Sequence, residues 1–450
     1  MGGGSGHRWT PLARSHMTDY PSWGRYPKAM PAAVFRAHWE DEPLPNSPHS
    51  LLPYGNGRSY GDSCLNGGGA LLDMRGLDRA LSFDRSTGVL RCEAGVLLAD
   101  ILALVVPMGW FLPVTPGTRF VTVGGAIAND VHGKNHHRTG TFGQHVLRLA
   151  LQRSDRGTLL CSPTENPELF HATMGGLGLT GAILWAEIRL RPIANAGVDF
   201  ETIRFANLDA FFDLSEESDR DYEYTVAWID CLARGKSLGR GLFIRGNHAP
   251  PQESLPLPPR RTRTFPVDLP FPLVNAWSLR TFNGLYYRKQ MARTRRVISH
   301  YEPFFYPLDS ILHWNRLYGR RGFLQYQCVV SPDSAKESIR ALLETIATAK
   351  SGSFLAVLKV FGDRRSPGLL SFPRPGATLA LDFPNQGQRT LDLLDQLDKI
   401  VVSASGAVYP AKDARMSGDH FQRYFPRWEE FQRYIDPRLS SSFWRRVMRT

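Results

Sequence analysis

The chain has 450 residues, 42% of them hydrophobic and 11% aromatic, which is enough apolar surface for at least one large core and excludes disorder as the main state. Its 54 Lys and Arg against 42 Asp and Glu leave a charge of +12, favouring contact with phosphates of nucleic acid, anionic lipid or a phosphorylated substrate. Apolar runs such as Ile101–Met108 and Ala182–Trp185 fall short of the roughly 18 residues of a membrane span, so the sequence reads as soluble or surface-bound.

Residues 1–16 open with MGGGSGHRW, lack the apolar core of a signal peptide, and read as an extension ahead of Met17. A cytoplasmic location is expected, at most peripheral at the inner face of the membrane. From Tyr54 to Arg191, short β-like runs (70–74, 89–94, 146–152, 182–191) alternate with Gly-rich turns and one helical stretch, 97–106. Glycine density falls after Pro192, so a second domain is expected to begin near Ile193. The next strand signal is 227–230. Residues 249–296 mix prolines, aromatics and arginines and predict a long loop with one basic helix. From Leu324, strand-like runs 324–330, 354–361 and 378–383 interleave with helices predicted over 334–348 and 388–403. Five cysteines, odd in number and far apart without a CxxC, argue against a disulfide framework or a zinc knuckle.

The sharpest motif is Tyr54-Gly55-Asn56-Gly57-Arg58-Ser59-Tyr60-Gly61-Asp62, followed by Asn66-Gly67-Gly68-Gly69 and an apolar strand. Clustered glycines let successive backbone N–H groups turn inward as an anion nest suited to a diphosphate; the same run would also serve as a hairpin loop. It is not a Rossmann fingerprint, because it leads into a strand. A second segment, Pro116-Gly117-Thr118 with Val121-Thr122-Val123-Gly124-Gly125-Ala126-Ile127-Ala128, reads as a small-residue helix whose N-terminus favours negative charge, or as a merely close-packed helix. His132 and His136 have the i,i+4 spacing of a metal pair. Gly133 and Asn135 weaken that helix and no carboxylate partner is evident, so no metal is expected. The third segment is Met174-Gly175-Gly176-Leu177-Gly178-Leu179-Thr180-Gly181. Three such loops point to one extended cofactor. Gly235-Lys236-Ser237 is not the end of a Walker loop, since Asp230 stands where its first glycine belongs.

The order GNGRSYGD, NGGG, PGT, TVGGAIA, HGKNHH and GGLGLTG is similar to the FAD-binding domain of the vanillyl-alcohol-oxidase/PCMH flavoprotein superfamily. Within it the chain most resembles the decaprenylphosphoryl-β-D-ribose 2-oxidase family. Ala227-Trp228, Leu324-Gln325-Tyr326-Gln327, Leu358-Lys359-Val360-Phe361-Gly362, Asp382-Phe383-Pro384 and Ala411-Lys412-Asp413 extend the likeness from Trp23 over nearly the whole chain. The resemblance implies an α+β fold: a PCMH-type two-part FAD-binding domain (17–192, completed by 407–450) and an inserted cap, or substrate, domain with an antiparallel sheet (193–406). It implies an enzyme that passes a hydride from a sugar carbon to FAD. The 2-hydroxyl of a polyprenylphosphoryl-β-D-ribose would become a ketone, oxygen or a quinone would reoxidise the flavin, and a separate NADH-dependent short-chain reductase would complete epimerisation to the arabinose donor.

The same resemblance assigns roles. FAD would touch Gly55, Asn56, Gly57, Arg58, Ser59, Tyr60 and Gly61 in the first loop, then Pro116, Gly117, Thr118, Thr122, Val123, Gly124, Gly125, Ala128 and Asn129. It would also meet His132, Gly133, Gly178, Gly181, Ile183 and Tyr409. The substrate would meet Lys134, Trp228, Gln325, Gln327, Lys359, Phe361, Thr378, Ala380 and Lys412. Lys412 is the first candidate base, His132 the second, with Tyr60 in the same cleft. Taken by itself, Lys412 could equally be a surface ion pair with Asp413. Period-two alternation places Gln325 and Gln327 on one strand face, and Lys359 in an apolar row where a lysine is costly unless it meets an anion or acceptor.

Two departures matter. The family strand reads Asn-x-Cys before Asp-Phe-Pro, but this chain has Thr378-Leu379-Ala380, which alters pocket polarity. Arg58 stands where many relatives carry a flavin-linking histidine, so non-covalent FAD is expected. The rival readings are an aldonolactone or alditol oxidase of the same superfamily acting on a free sugar and, outside enzymes, a basic nucleic-acid-binding protein. Dispersed charge and unexplained flavin loops count against the latter. The basic, aromatic stretch 258–296, with Phe265, Phe271, Trp277, Tyr286 and Tyr287, suggests contact with an anionic membrane.

Overall fold

The computed structural model describes residues 20–251, 263–268 and 274–449. The readings made of residues 1–16, of Met17, and of 258–262 and 269–273 within the basic stretch lie outside them.

Helices and sheets are both abundant, in an α+β arrangement of three main sheets. The first is a parallel trio in which Ala70–Asp73 lies between Ala33–Arg36 and Leu51–Tyr54. All four residues of that central strand are buried, as its unbroken Ala-Leu-Leu run requires of a strand covered on both faces. Asp73 ends it, accepting hydrogen bonds from Tyr20 Oη (2.9 Å) and Arg75 Nε (2.8 Å). The second sheet is antiparallel, in the order Ala80–Asp84, Val89–Glu93, Ala182–Arg189, Val146–Arg153, Gly157–Cys161. The helix Leu98–Val105 joins its core through Leu98, Ile101, Leu102 and Val105, one apolar stripe at helical spacing.

The third sheet has eight antiparallel strands in the order Thr294–His300, Gly197–Phe205, Gly241–His248, Tyr224–Ile229, Val357–Phe361, Gly376–Pro384, Phe323–Val330, Ala407–Val408. Leu324, Tyr326, Cys328, Leu358, Leu379, Leu381 and Phe383 are buried together with Leu342, Leu343, Leu393 and Leu397 of the helices Ala335–Ala349 and Gln388–Ser403. Alternation then sends Gln325, Gln327, Lys359, Ala380 and Asp382 to the opposite face.

After Val408 the chain returns to the N-terminal half. Tyr60 N donates to the Ala411 carbonyl at 2.8 Å, Gly67 N donates to Ser442 Oγ at 2.9 Å, and Arg446 pairs with both Asp62 (2.7 Å) and Asp413 (2.8 Å).

Several boundaries differ from the sequence reading. The strand expected over 354–361 begins only at Val357, because the Phe354 carbonyl is turned onto the Trp228 indole N–H at 2.9 Å. The strand expected at 227–230 begins earlier, at Tyr224. The run 182–191 breaks after Arg189, and Arg191–Pro192 pairs instead with Trp110–Phe111. Gly197–Phe205 and the helix Leu208–Ser218 occupy a stretch for which the sequence reading named no element. The basic helix is Ala276–Lys289, capped by the Asn275 side chain. Among the described residues, no helix is long and apolar enough to cross a membrane.

Candidate active site

A cavity of about 780 Å³ runs from the Gly-rich loops to the uncovered face of the eight-stranded sheet. Its size lies within the range of cofactor and ligand sites.

One end is built from backbone. Gly57 has a φ of +59°, and a Cβ there would strike Tyr54 Oη and the Pro21 carbonyl; a Cβ on Gly61 would collide with the Asp413 carbonyl. Among the described residues, no protein acceptor takes the backbone N–H groups of Asn56, Gly57, Arg58 or Ser59, all of which border the cavity. Four successive amides without a protein acceptor are available to an anionic group such as a diphosphate. Asn56 Nδ2 donates to the Phe120 carbonyl (2.7 Å), tying the first loop to the second. The Arg58 guanidinium lies 4.1 Å from the Trp23 ring centroid, with Nε unpartnered.

The second loop works differently from expectation. The helix Val123–Ala128 is only six residues long and its first amides are already taken: Val123 N by Val96 O, Gly124 N by Ala94 O, and Gly125 N by Thr122 Oγ1. Its N-terminus therefore offers no anion site. Gly124, Gly125 and Ala128 supply instead a flat wall of small side chains, with Pro116, Gly117 and Thr118 beside them. Gly178, Gly181 and Ile183 of the third loop complete this end. The free amides and flat walls fit an elongated dinucleotide such as FAD. Gly61 and Val123 do not border the cavity; they hold the surrounding chain.

The other end is built from side chains. The strand register sets Gln325 opposite Asp382, Gln327 opposite Ala380, and Lys359 opposite Thr378, which gathers these residues on one face. Lys359 Nζ lies 2.9 Å from His132 Nδ1 and donates to the Gly133 carbonyl at 2.8 Å, while Gln327 Nε2 lies 2.9 Å from His132 Nε2. A neutral imidazole has one acceptor nitrogen and both neighbours are donors, so with the lone pair on Nδ1 the ring accepts from Lys359, and its Nε2–H then requires the Gln327 amide to turn its oxygen toward it. Burial, aided by Lys359, holds this ring well below the usual histidine range.

Lys134 donates to the Phe305 carbonyl (3.1 Å). Lys412 Nζ sits 3.9 Å from the Tyr60 ring centroid. Burial lowers all three lysines, Lys134 to about 8, Lys359 to about 7 and Lys412 to about 8; for Lys359 the other two ammonium groups add to the effect, and for Lys412 Asp382 opposes it. Asp413 is bound to Arg446 and to the Arg415 and Met416 amides, and Lys412 faces the cavity, not a surface ion pair.

Tyr409 Oη donates to the Asn129 carbonyl (2.8 Å), and its ring stacks on Phe372 at 4.6 Å. Trp228 lines the outer wall with Phe282 and Tyr286. Thr378 and Phe361 lie behind the wall: Thr378 beneath Gln327, and Phe361 packed on His132 (4.8 Å) and His136 (4.5 Å). The two histidines thus share an aromatic neighbour, and among the described residues no cluster of His, Cys, Asp or Glu is placed to hold a metal.

The sequence reading missed the roles of Asp382 and Asp309. Asp309 lines the cavity and accepts the Arg119 N–H at 2.9 Å. Asp382 carried a usable signal, since it is an acid in an apolar strand, the same anomaly that singled out Lys359.

Residues 45–162 match the FAD binding domain family. The chain is 37% identical over 403 residues to decaprenylphosphoryl-beta-D-ribose oxidase of Mycolicibacterium smegmatis, covering 86% of each chain. It is 34% identical to an uncharacterized protein in the mprA 5' region of Streptomyces coelicolor, over 76% of this chain and 96% of that one. Human delta(24)-sterol reductase shares 32% identity over 125 residues, 28% of this chain and 24% of its own. With free amides and small-residue walls that suit a dinucleotide, and with 37% identity over 86% of its length, the chain belongs to the decaprenylphosphoryl-β-D-ribose oxidase family of FAD-dependent oxidoreductases.

Proposed function

We propose that this enzyme oxidises the 2-hydroxyl of a polyprenylphosphoryl-β-D-ribose to the 2-keto sugar, the first half of epimerisation to an arabinose donor. The observation that carries the reading is the trio Lys134, Lys359 and Lys412, three buried amines in one cavity. Among the described residues no carboxylate pairs with Lys134 or Lys359, and a phosphate supplies that counter-charge, whereas a free aldonolactone or alditol brings none. FAD, when bound, supplies the two-electron acceptor for the hydrogen leaving C2. The protein's residues orient the sugar and move the proton. Lys412, partly neutral near its lowered pKa, accepts the hydroxyl proton at Nζ. Gln325 and Gln327 hold the other hydroxyls, and Lys134 and Lys359 hold the phosphate. His132, with Nδ1 accepting from Lys359, holds that lysine in place instead of acting as the base. The small Ala380 and the sunken Thr378 leave room and alter polarity beside the sugar.

The division into 17–192, 193–406 and 407–450 suits this reading, since the cavity lies between the Gly-rich loops and the long sheet, and the tail delivers Tyr409 and Lys412. A lipid-linked substrate also suits the basic helix: Trp277 is 85% exposed and Leu285 65%, with Met291 just past its end 86% exposed, while Phe282 and Tyr286 of the helix reach the cavity wall. This face is proposed to rest on anionic membrane, and the keto product is passed to a separate NADH-dependent reductase. The test is product analysis with polyprenylphosphoryl ribose beside free alditols and lactones. A product two hydrogens lighter, with label lost from a C2-deuterated substrate, is expected; turnover of the free sugars alone would refute the reading.

A further inference from the structure

Asp382 has a place in the site that the sequence likeness does not explain. It stands directly opposite Gln325 across two antiparallel strands, is 2% exposed, and accepts a hydrogen bond from Gln325 Nε2 at 2.9 Å. In its ionised form the Asp382 carboxyl only accepts, so this bond sets the amide: nitrogen toward Asp382, oxygen away from it. Gln325 Oε1 is buried without a protein partner among the described residues, on a side chain that borders the cavity. A buried carbonyl oxygen left unpaired beside a binding cavity marks the position of a donor brought by a ligand. The titratable groups around Asp382 are Lys412 from the C-terminal loop, Tyr60 from the first glycine loop, and Tyr318.

We propose that Asp382 is a positioning residue for sugar oxidation: it locks Gln325 so that Oε1 accepts a hydrogen bond from a sugar hydroxyl, while its charge steadies the Lys412 ammonium. The inference rests on the sugar-oxidising reading above. Burial lifts the Asp382 carboxyl to about 7, with Gln325 and Lys412 opposing the rise, so its charge is sensitive to what faces it. An amide at position 382 could meet Gln325 through either of its own groups, and the orientation of Gln325 would be lost.

The experiment is a double-variant cycle on the FAD-loaded enzyme with Asp382→Asn, Gln325→Met and the pair, reading KM, the pH dependence of anaerobic flavin reduction, and FAD content. Asp382→Asn is expected to raise KM about tenfold, the scale of one lost hydrogen bond. It should also move the rise in reduction rate that follows Lys412 deprotonation to lower pH, because the carboxylate that raises the Lys412 pKa is gone. Gln325→Met should raise KM by about the same factor with that rise unmoved, which keeps the test decisive even where the Asn variant folds poorly. In the Met background, Asp382→Asn should no longer change KM. Additive KM effects, an unmoved pH dependence in Asp382→Asn, or an unchanged KM in either single variant would overturn the proposal. A wild-type enzyme that leaves the sugar unoxidised would overturn instead the reading on which it rests.

Discussion

At one end of the cavity the protein presents backbone: the amides of 56–59, the bare faces of Gly117, Gly124 and Gly125, and the turn at Gly178. At the other it presents long side chains, Lys134, Lys359, Lys412, Gln325 and Gln327, carried by segments far apart in the chain. The first kind of site suits a rigid, invariant ligand, because main chain cannot be retuned by substitution. The second suits a ligand whose charge and hydroxyl pattern must be discriminated, and each side chain there can be changed singly.

The comparison predicts effects of different kind and size. Lys412→Met should leave FAD bound and lower anaerobic flavin reduction by about 10²–10⁴, the range of a lost proton acceptor, as stopped-flow absorbance would show. A near-normal rate would remove Lys412 from the chemistry. Lys359→Met should lower kcat/KM for the phosphate-linked sugar by roughly 10–100-fold, the worth of one to two charged hydrogen bonds. Its stability carries a second signature. Burial holds Lys359 at about 7, below the usual 10.5, so as pH falls between these values the unfolded chain takes up the proton first. Wild-type stability is therefore lost over that window and stays low beneath it. The Tm difference should shift in favour of the variant as pH is lowered from about 10 to 7 and then level off.

At the backbone end, Gly117→Ala meets no atom within 4 Å on the protein side, so it should leave Tm unchanged while weakening FAD about tenfold by intruding on the cavity. Gly61→Ala should do the reverse, lowering Tm because its Cβ has no room beside the Asp413 carbonyl. Equal effects of the two on Tm would erase the distinction between a lining glycine and a supporting one. In the wild type, heat or acid should release FAD intact, since Arg58 offers no linking imidazole. The smallest effect belongs to the membrane face: Trp277→Ser should reduce sedimentation with anionic vesicles by a few-fold, on the order of 1 kcal/mol, without changing FAD content. Equal wild-type binding to neutral and anionic vesicles would refute the docking.

The same contrast explains what was legible in the sequence. The cofactor end was readable because its glycines are clustered: Gly55, Gly57 and Gly61, within seven residues, announce a close backbone approach by themselves. One physical detail there was not readable. Whether the helix beginning at Val123 has free amides depends on Ala94 and Val96, some thirty residues earlier in the chain. Period-two alternation placed Gln325 with Gln327, and the cost of a buried amine marked Lys359. Their meeting with Asp382, His132 and Lys412 is set by strand register and by the returning C-terminal segment, which no local pattern encodes. The stretch between Gly197 and Ser218 was not legible for another reason, since its strand mixes buried and partly buried positions without strict alternation and its helix LDAFFDLSEES carries four acids among eleven residues.

That a phosphate is held by buried lysines beside the cofactor is tested most directly by anaerobic flavin bleaching. Mixed without oxygen, polyprenylphosphoryl ribose should reduce the flavin rapidly, while a ribose glycoside of equal lipid length lacking the phosphate should reduce it at least tenfold more slowly. Equal bleaching by both compounds, or bleaching only by a free alditol or lactone, would contradict it.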